Sequence, residues 1–240
     1  MLIETKAIVI KNIKYGDYSI ISRCFTLAHG LQSFMLKGIL KRKKSGIKRS
    51  QFQTLTQLSI IYNFTNKKNL KFIKQAKVIN TYTTIQNDIV KNTIILFLSE
   101  ILNEVIKTEA HTPSLYLFIE TSLNWLDAKK KVKNFHIIFL IKLIKFLGFF
   151  PNINSNGIYF DLEKGSFSNH KTSILEYDVD TIIIFKKILG MNFEQGETID
   201  INRNSKNKIL EILIKYFEIH HHGFKTPKSL RILNELFDNP

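Results

Sequence analysis

The chain has 240 residues, of which 44% are hydrophobic, and its formal net charge is +15. This apolar content excludes a disordered chain, and the length allows one large or two small domains. The only cysteine, Cys24, excludes an intrachain disulfide and a cysteine-based zinc site, and it favours a reducing, cytoplasmic setting.

The positive charge is concentrated in the first third of the chain. Residues 1–80 contain sixteen Lys or Arg and two acids, a net of +14, whereas residues 81–240 contain nineteen Lys or Arg and eighteen acids. An AT-rich genome raises the lysine content of a whole protein, so it does not explain why acids are missing from one segment. The asymmetry indicates a polyanion-binding module joined to a nearly neutral one.

The first eighty residues predict β-structure, because apolar and polar residues alternate between short turns such as the one at Gly30. Five strands joined mostly by short connections are typical of a small closed barrel, in which closure removes exposed edges. An OB-type barrel is the leading interpretation and an SH3-like barrel is the alternative. The predicted strands are 5–12, 19–27, 31–39, 52–64 and 70–82.

A basic run without any acid, "LKGILKRKKSGIKRSQF" at 36–52, connects the third predicted strand to the fourth. Single-strand binders combine positive grooves with aromatic faces on which bases stack, and Tyr15 and Tyr18 are the aromatic residues most suited to exposure. The alternative is a solvated loop that keeps the domain soluble. The predicted DNA-binding residues are Lys37, Lys41, Arg42, Lys43, Lys44, Lys48 and Arg49, together with Lys14, Tyr15 and Arg23.

The remaining residues predict helices and one hairpin. Thr112 and Pro113 are typical of a helix start, and Gly148 followed by Pro151 is typical of a helix end. We therefore predict an α+β protein with an OB domain at 1–82 and a helical domain at 83–240. No segment is suited to a signal peptide or a membrane span. The predicted helices are 88–107, 112–127, 134–148, 178–189, 205–223 and 226–237, with the hairpin at 156–169.

Candidate catalytic and metal-binding residues are few. Asp161 and Glu163 share a strand face, but no third acid lies near them in the sequence, so an exposed hairpin is the better interpretation. Three adjacent histidines, 220–222, point in three directions and precede Gly223, where a helix should end. No nucleotide-binding or hydrolase motif is present. We predict no enzymatic activity, no metal site and no cofactor.

The chain resembles the recombination mediator RecO family over its whole length. The resemblance lies in a collinear series of segments rather than in a single catalytic signature. These segments are "IKYGDYSIISRCFTLAHGLQSFMLKGI", "QFQTLTQLSIIY", "NDIVKNTIILFLSEIL", "NFHIIFLIKLIKFLGFFP", "YFDLEKGSF" and "HHHGFKTPKSLRIL". The pattern is most similar to members from Bacteroidetes-type bacteria.

The resemblance implies an N-terminal OB-fold, an α-helical domain and binding of single- and double-stranded DNA. It also implies annealing of complementary strands, partnership with RecR, contact with the C-terminal tail of the single-strand-binding protein, and indirect help in loading RecA. Many family members carry a four-cysteine zinc module, and the matching segment here, 152–172, has no cysteine. Packing alone must therefore hold that segment. The resemblance also implies a cytoplasmic, nucleoid-associated bacterial protein.

Two other functions remain open from the residues alone. OB barrels also bind RNA, so an RNA-binding protein of the translation machinery is the main alternative. A metal-dependent nuclease that uses Asp161 and Glu163 is a third possibility.

Overall fold

The computed structural model describes residues 1–41, 46–65, 70–106, 112–130, 132–170 and 177–238, with side chains up to residue 236. The chain divides into two compact units, Met1–Ala128 and Lys129–Pro240. Among the described residues, the first unit contains a five-stranded sheet and two helices, and the second contains five helices and a two-stranded hairpin. The predicted α+β class is confirmed.

The sheet of the first unit is antiparallel, with strand order β3-β2-β1-β4-β5. The long first strand pairs with β4 along its first half and with β2 along its second half. A register shift between Val9 and Lys11 disturbs the pairing of β1 with β2, and a bulge of this kind bends a strand. The strands are β1 (Leu2–Tyr15), β2 (Ser19–Thr26), β3 (Gly30–Leu36), β4 (Gln57–Asn63) and β5 (Ile73–Asn80).

Two backbone hydrogen bonds close the sheet into a barrel. The amide of Met35 on β3 donates to the carbonyl oxygen of Lys71 (2.8 Å), and the amide of Lys71 donates to the carbonyl oxygen of Ser33 (3.0 Å). The bridge between Phe34 and Lys71 is parallel. Because β4 pairs with β1 and β5 closes on β3, the connection is a Greek key and not a meander. The barrel is therefore of the OB type rather than the SH3-like alternative.

The barrel core contains Cys24, which is fully buried with its Sγ 3.4 Å from Ser22 Oγ. Burial raises the pKa of this thiol to about 12, so it stays protonated and acts as a small apolar residue, as predicted. Phe34, Phe52 and Tyr62 are also core residues. The other core side chains are Ala7, Val9, Ile20, Leu36, Leu58 and Ile60.

Helices α1 (Ile89–Val105) and α2 (Pro113–Ala128) belong to the first unit. The side chain of Asp88 caps α1 by accepting a hydrogen bond from the amide of Lys91. Near the end of α2, the carboxylate of Asp127 accepts hydrogen bonds from the amides of 83–85 at 2.9–3.1 Å. These bonds join α2 to the segment that leaves the barrel. The domain boundary predicted at residue 82 stays a prediction, because the compact units describe packing alone.

The second unit is mainly helical, and its central helix α3 is buried on most sides. α3 ends at Gly148, whose φ of 87° is left-handed, as the Gly and the following Pro predicted. α3 packs against α5 and α6. The elements are α3 (Phe135–Leu147), β6 (Tyr159–Asp161), β7 (Ser166–Ser168), α4 (Val179–Ile188), α5 (Phe193–Thr198), α6 (Arg203–His220) and α7 (Leu230–Asp238).

The β6–β7 hairpin is held by aromatic packing. The ring of Phe160 lies 5.1 Å from the rings of both Phe167 and Phe185, and 5.7 Å from that of Tyr216. The turn places Gly165 at a φ of +61°, and a Cβ there would lie 2.2 Å from the hydroxyl of Tyr216. The aromatic cluster thus supplies the packing that the cysteine-free segment was expected to need.

Two predicted element starts differ from the structure by about four residues or more. The fourth strand was predicted from residue 52, but a 3₁₀ turn (Arg49–Phe52) and a positive φ at Leu55 delay β4 to Gln57. The last helix was predicted to open at Thr226 and Pro227, but α7 begins at Leu230. The hydroxyl of Thr226 donates to the carboxylate of Glu218 on α6, so it is engaged by another helix instead of capping its own.

Candidate nucleic-acid interface

A groove with a volume of about 490 Å³ lies on the barrel between the end of β3 and the start of β5. Its walls come from residues 35–39 and 41, from 46–49 and from 72–74, and it is called the basic groove below. Among the described residues, its lining contains five cations and no carboxylate. A groove lined by one sign of charge focuses the electrostatic potential and attracts anions. The cations are Lys37, Lys41, Lys48, Arg49 and Lys74.

The turn after β3 positions Lys37 and Lys41. Gly38 adopts a φ of +64°, which lets the chain reverse directly after the strand. The turn is fixed to the β1–β2 connection, because the amide of Leu40 donates to Tyr18 O (3.0 Å) and the amide of Gly38 donates to Ser19 Oγ (3.2 Å). These bonds bring Tyr18 next to the groove.

Two exposed aromatic rings lie beneath groove lysines. The ammonium nitrogen of Lys37 is 4.9 Å from the ring centroid of Phe72, and that of Lys41 is 4.6 Å from the ring centroid of Tyr18. Phe72 and Tyr18 are 51% and 52% exposed, respectively, so both residues are accessible to solvent. Rings of this kind can stack on any base, because every base has a π-face.

The buried lysine at the barrel closure differs from the groove lysines. Lys71 is only 8% exposed, its ammonium nitrogen lies 5.9 Å from the ring of Phe64, and burial lowers its pKa. Its backbone closes the sheet, as described above. Lys71 is therefore a structural residue, whereas the neighbouring Lys74 is exposed and lines the groove.

The structure brings four of the predicted DNA-binding residues together in the basic groove. These are Lys37, Lys41, Lys48 and Arg49. Arg42, Lys43 and Lys44 lie outside the described residues. The other predicted positions, Lys14, Tyr15 and Arg23, do not line the groove.

The environments of Lys14, Tyr15 and Arg23 differ from one another. Lys14 lines a second groove of the same unit, and Tyr15 is exposed at the end of β1. The guanidinium of Arg23 donates to Asn103 Oδ1 on α1 at 2.6 Å. Arg23 is therefore engaged by a helix that lies eighty residues further along the chain.

Phe72 and Lys74 were not among the predicted site residues. Both lie where the β4–β5 connection enters β5, and this connection is one of the ligand-binding loops of OB barrels. The sequence prediction placed Phe72 inside the fifth strand, 70–82, whereas β5 begins at Ile73. No local sequence signal marked Phe72 as a site residue.

On the side of the barrel toward α1 and α2, Lys6 and Arg23 have charged or polar partners. Lys6 on β1 pairs with Glu120 on α2 at 3.0 Å, and Arg23 is held by Asn103. The carboxylate of Glu120 is largely buried, with 10% of its side chain exposed. These two cations stabilise the packing of the first unit and are not available in the groove.

The alternative chemical sites of the second unit have structural roles. Asp161 Oδ1 accepts hydrogen bonds from the amides of Glu163 and Lys164 at 3.0 Å and so forms the hairpin turn. The ring of His220 lies 4.2 Å from that of Tyr216, and its Nε2 lies 2.8 Å from the carbonyl oxygen of Leu162. Within the described ranges, no three His, Cys, Asp or Glu side chains are grouped closely enough to hold a metal ion.

In the described part of the chain, no helix combines the length and the apolar character that crossing a bilayer requires.

Comparison with known families identifies relatives over the whole chain. The models "Recombination protein O N terminal" and "Recombination protein O C terminal" match residues 1–82 and 86–231. The chain is 39% identical over 240 residues to the DNA repair protein RecO of Flavobacterium psychrophilum, covering 99% of this chain and 100% of that protein. It is 37% identical over 238 residues to that of Christiangramia forsetii and 32% identical over 246 residues to that of Bacteroides fragilis, with the same coverage.

Proposed function

The chain belongs to the recombination protein O family, and from this premise we propose that it is a non-enzymatic DNA-binding protein of DNA repair and homologous recombination. The relatives in Flavobacterium psychrophilum and Bacteroides fragilis are named DNA repair proteins. The observation that carries the proposal is the basic groove, which is lined by five cations and by the half-exposed Phe72, without a carboxylate among the described lining residues. The half-exposed Tyr18 lies beside the groove, beneath its Lys41.

The groove suits a ligand with regularly spaced negative charges and flat apolar faces. In our proposal, the lysines contact phosphates and the rings of Tyr18 and Phe72 stack on bases. In the structure each ring lies beneath a lysine. When a base takes the ring face, that lysine is released toward the phosphate of the same nucleotide. This exchange replaces a cation–π contact with a charge-assisted contact, and it reads no base identity.

Annealing follows from the same electrostatics. Two complementary strands repel each other, and a strongly positive surface lowers that repulsion without any bond chemistry. Lysine suits this task better than arginine, because arginine's planar fork favours bidentate contacts to guanine. Four of the five groove cations are lysines. We propose that the protein anneals strands of any sequence.

The proposed partners are those of the family's pathway: single- and double-stranded DNA, RecR, the C-terminal tail of the single-strand-binding protein and, indirectly, RecA. An acidic tail that ends in Phe requires an apolar groove with cations at its edge. The groove between α6 and α7 has apolar walls at Leu210, Ile214 and Leu230. Its lysines 208 and 215 are ion-paired with Asp178 and Glu218, so this groove supplies only the apolar half of that requirement.

The test removes the four lysines of the basic groove. Lys37→Ala, Lys41→Ala, Lys48→Ala and Lys74→Ala are combined in one variant, and its affinity for a labelled single strand is measured by fluorescence anisotropy. All four side chains are exposed, so the fold should be retained. We expect the affinity to fall at least about hundredfold at physiological salt, because several phosphate contacts are lost together. The rate of annealing of complementary strands should fall with it.

The matched control removes the same charge elsewhere. Lys130→Ala, Lys187→Ala, Lys225→Ala and Lys228→Ala change four exposed lysines of the second unit. Equal losses of affinity in the two variants would contradict the assignment of the groove. Competition between DNA and RNA of the same sequence separates the proposal from the RNA-binding alternative, which requires a clear preference for RNA.

A further inference from the structure

A second groove of the first unit is larger than the basic groove and has a different lining. Its volume is about 1110 Å³, and it lies between the barrel and the start of α1. Five exposed amide side chains line it: Asn12, Gln53, Gln86, Asn87 and Asn92. It is called the amide groove below. No carboxylate is present among the described lining residues.

The amide groove is connected to the basic groove by a shared residue. Arg49 begins the 3₁₀ turn and lines both grooves. A second cation, Lys14 on β1, lines the amide groove alone. A chain of phosphates that leaves the basic groove at Arg49 therefore meets another cation and no repelling charge among the described lining residues.

The amide side chains retain hydrogen-bonding capacity. Asn12 Nδ2 donates to the carbonyl oxygen of Phe52 at 2.6 Å, and Gln86 Nε2 donates to Gln53 Oε1 at 3.2 Å. These bonds orient the amides and leave other donors and acceptors open. Asn92 makes no side-chain hydrogen bond within the described part of the chain. An amide offers both a donor and an acceptor, so it can pair with an edge of any base.

We propose that the amide groove is a second binding site for single-stranded nucleic acid, which takes the nucleotides that follow those in the basic groove on the same strand. This inference rests on the proposed function. The basic groove contacts phosphates, and the amide groove contacts base edges and sugars without selecting a sequence. Ligand pockets typically have volumes of about 300–1000 Å³, so the amide groove is large enough to hold a segment of a strand.

The test compares oligothymidylates of increasing length. OB folds occupy about 4–16 nucleotides, so the shortest oligonucleotide, of about 4, fills only the basic groove and longer ones reach the amide groove. In the variant Asn92→Asp, a carboxylate of the same shape repels the strand in the amide groove. Asn92 is exposed in the first turns of α1, where an acid is tolerated by the helix dipole. We expect affinity for long oligonucleotides to fall about threefold to tenfold, and affinity for the shortest to stay within about twofold.

Two further variants accompany Asn92→Asp: a control with the same charge elsewhere and a substitution of opposite charge at Asn92. Asn63→Asp adds the same charge at an exposed amide of β4 that lines neither groove, and it should affect long and short oligonucleotides alike. Asn92→Lys should strengthen binding of long oligonucleotides only. Equal effects of Asn92→Asp and Asn63→Asp at every length would overturn the inference. If wild-type protein bound no oligonucleotide of any length, the proposed function itself would be contradicted.

Discussion

The cations of the barrel differ between its two sides. On the side toward α1 and α2, Lys6 pairs with Glu120 and Arg23 is held by Asn103. In the basic groove, Lys37 and Lys41 lie over exposed aromatic rings, and no carboxylate is present among the described lining residues. The same residue type therefore stabilises packing on one side and stays available to a ligand on the other.

Net charge alone therefore does not locate a binding surface. The segment 1–80 has a net charge of +14. Glu120 on α2 matches the charge of Lys6, and the neutral Asn103 on α1 engages Arg23. Both helices follow the barrel in sequence but belong to the same compact unit. What distinguishes the groove is the absence of acids combined with open ring faces, and this combination is a property of the fold.

The largest effect should come from the aromatic rings of the groove. Combining Tyr18→Ala with Phe72→Ala removes both stacking surfaces, and stacking is worth about 1–3 kcal/mol per base. We expect weaker single-strand binding by about 2–6 kcal/mol, with an unchanged dependence on salt because no charge is lost. Isothermal titration or anisotropy measures it. Tyr15→Ala is the control, since Tyr15 is 55% exposed but, unlike Tyr18 and Phe72, has no described contact with a groove lysine. An equal loss in Tyr15→Ala would remove the distinction.

A smaller effect is expected on the helix side, at Asp127. The backbone amides of 83–85 that donate to its carboxylate outweigh its partial burial and lower its pKa to about 2. Asp127→Ala should lower the free energy of unfolding by about 2 kcal/mol, because hydrogen bonds to a charged group are lost. Chemical denaturation measures this loss. Single-strand affinity should not change in conditions where the variant is folded.

The pH dependence of that loss follows from the sign of the shift. Since the folded pKa lies below the unfolded value of about 3.9, the carboxylate stabilises the fold above that value. The stabilisation is lost as pH falls through about 2. The difference in stability between wild type and Asp127→Asn should therefore be constant from neutral pH to about pH 5 and should shrink below pH 4. A difference that stayed constant down to pH 2 would contradict the assigned role.

The smallest effect is expected for the ion pair between Lys6 and Glu120. Nearly half of the Lys6 side chain is exposed, at 48%, so solvent screens the pair. We expect Lys6→Gln to lower the free energy of unfolding by about 1 kcal/mol or less and to change single-strand affinity less than about twofold. A double-mutant cycle with Glu120→Gln measures the coupling. A loss of affinity as large as that of a groove lysine would show that the two sides of the barrel do not differ.

The sequence predicted the elements of the barrel well because alternation and turn residues are local signals. Gly30 marks a predicted turn that the structure contains. Gly38 was predicted to lie in the third strand, 31–39, but it turns the chain after β3 ends at Leu36. The closure of β3 on Lys71 was not predictable from such signals, because it joins residues far apart in the chain. For the same reason, sequence reasoning placed Arg23 among the DNA-binding residues, although its partner Asn103 is eighty residues away.

The candidate site was predicted in part. The basic run identified Lys37, Lys41, Lys48 and Arg49, since a cluster of like charges is visible in any reading of the sequence. Phe72 was missed, because its relation to Lys37 exists only after the barrel closes. The amide groove was missed entirely, since its residues come from three separate segments and none carries a motif.

The salt dependence of single-strand binding reports how many phosphates the cations of the basic groove contact. Each phosphate contact contributes about 0.7 to the slope of log K against log salt. In the variant without Lys37, Lys41, Lys48 and Lys74, we expect a slope smaller by about 3 than in wild type. In a variant with Lys6→Gln and Arg23→Gln, the slope should stay within about 0.5 of wild type. Equal slopes in the two variants would contradict the claim that the basic groove carries the phosphate contacts.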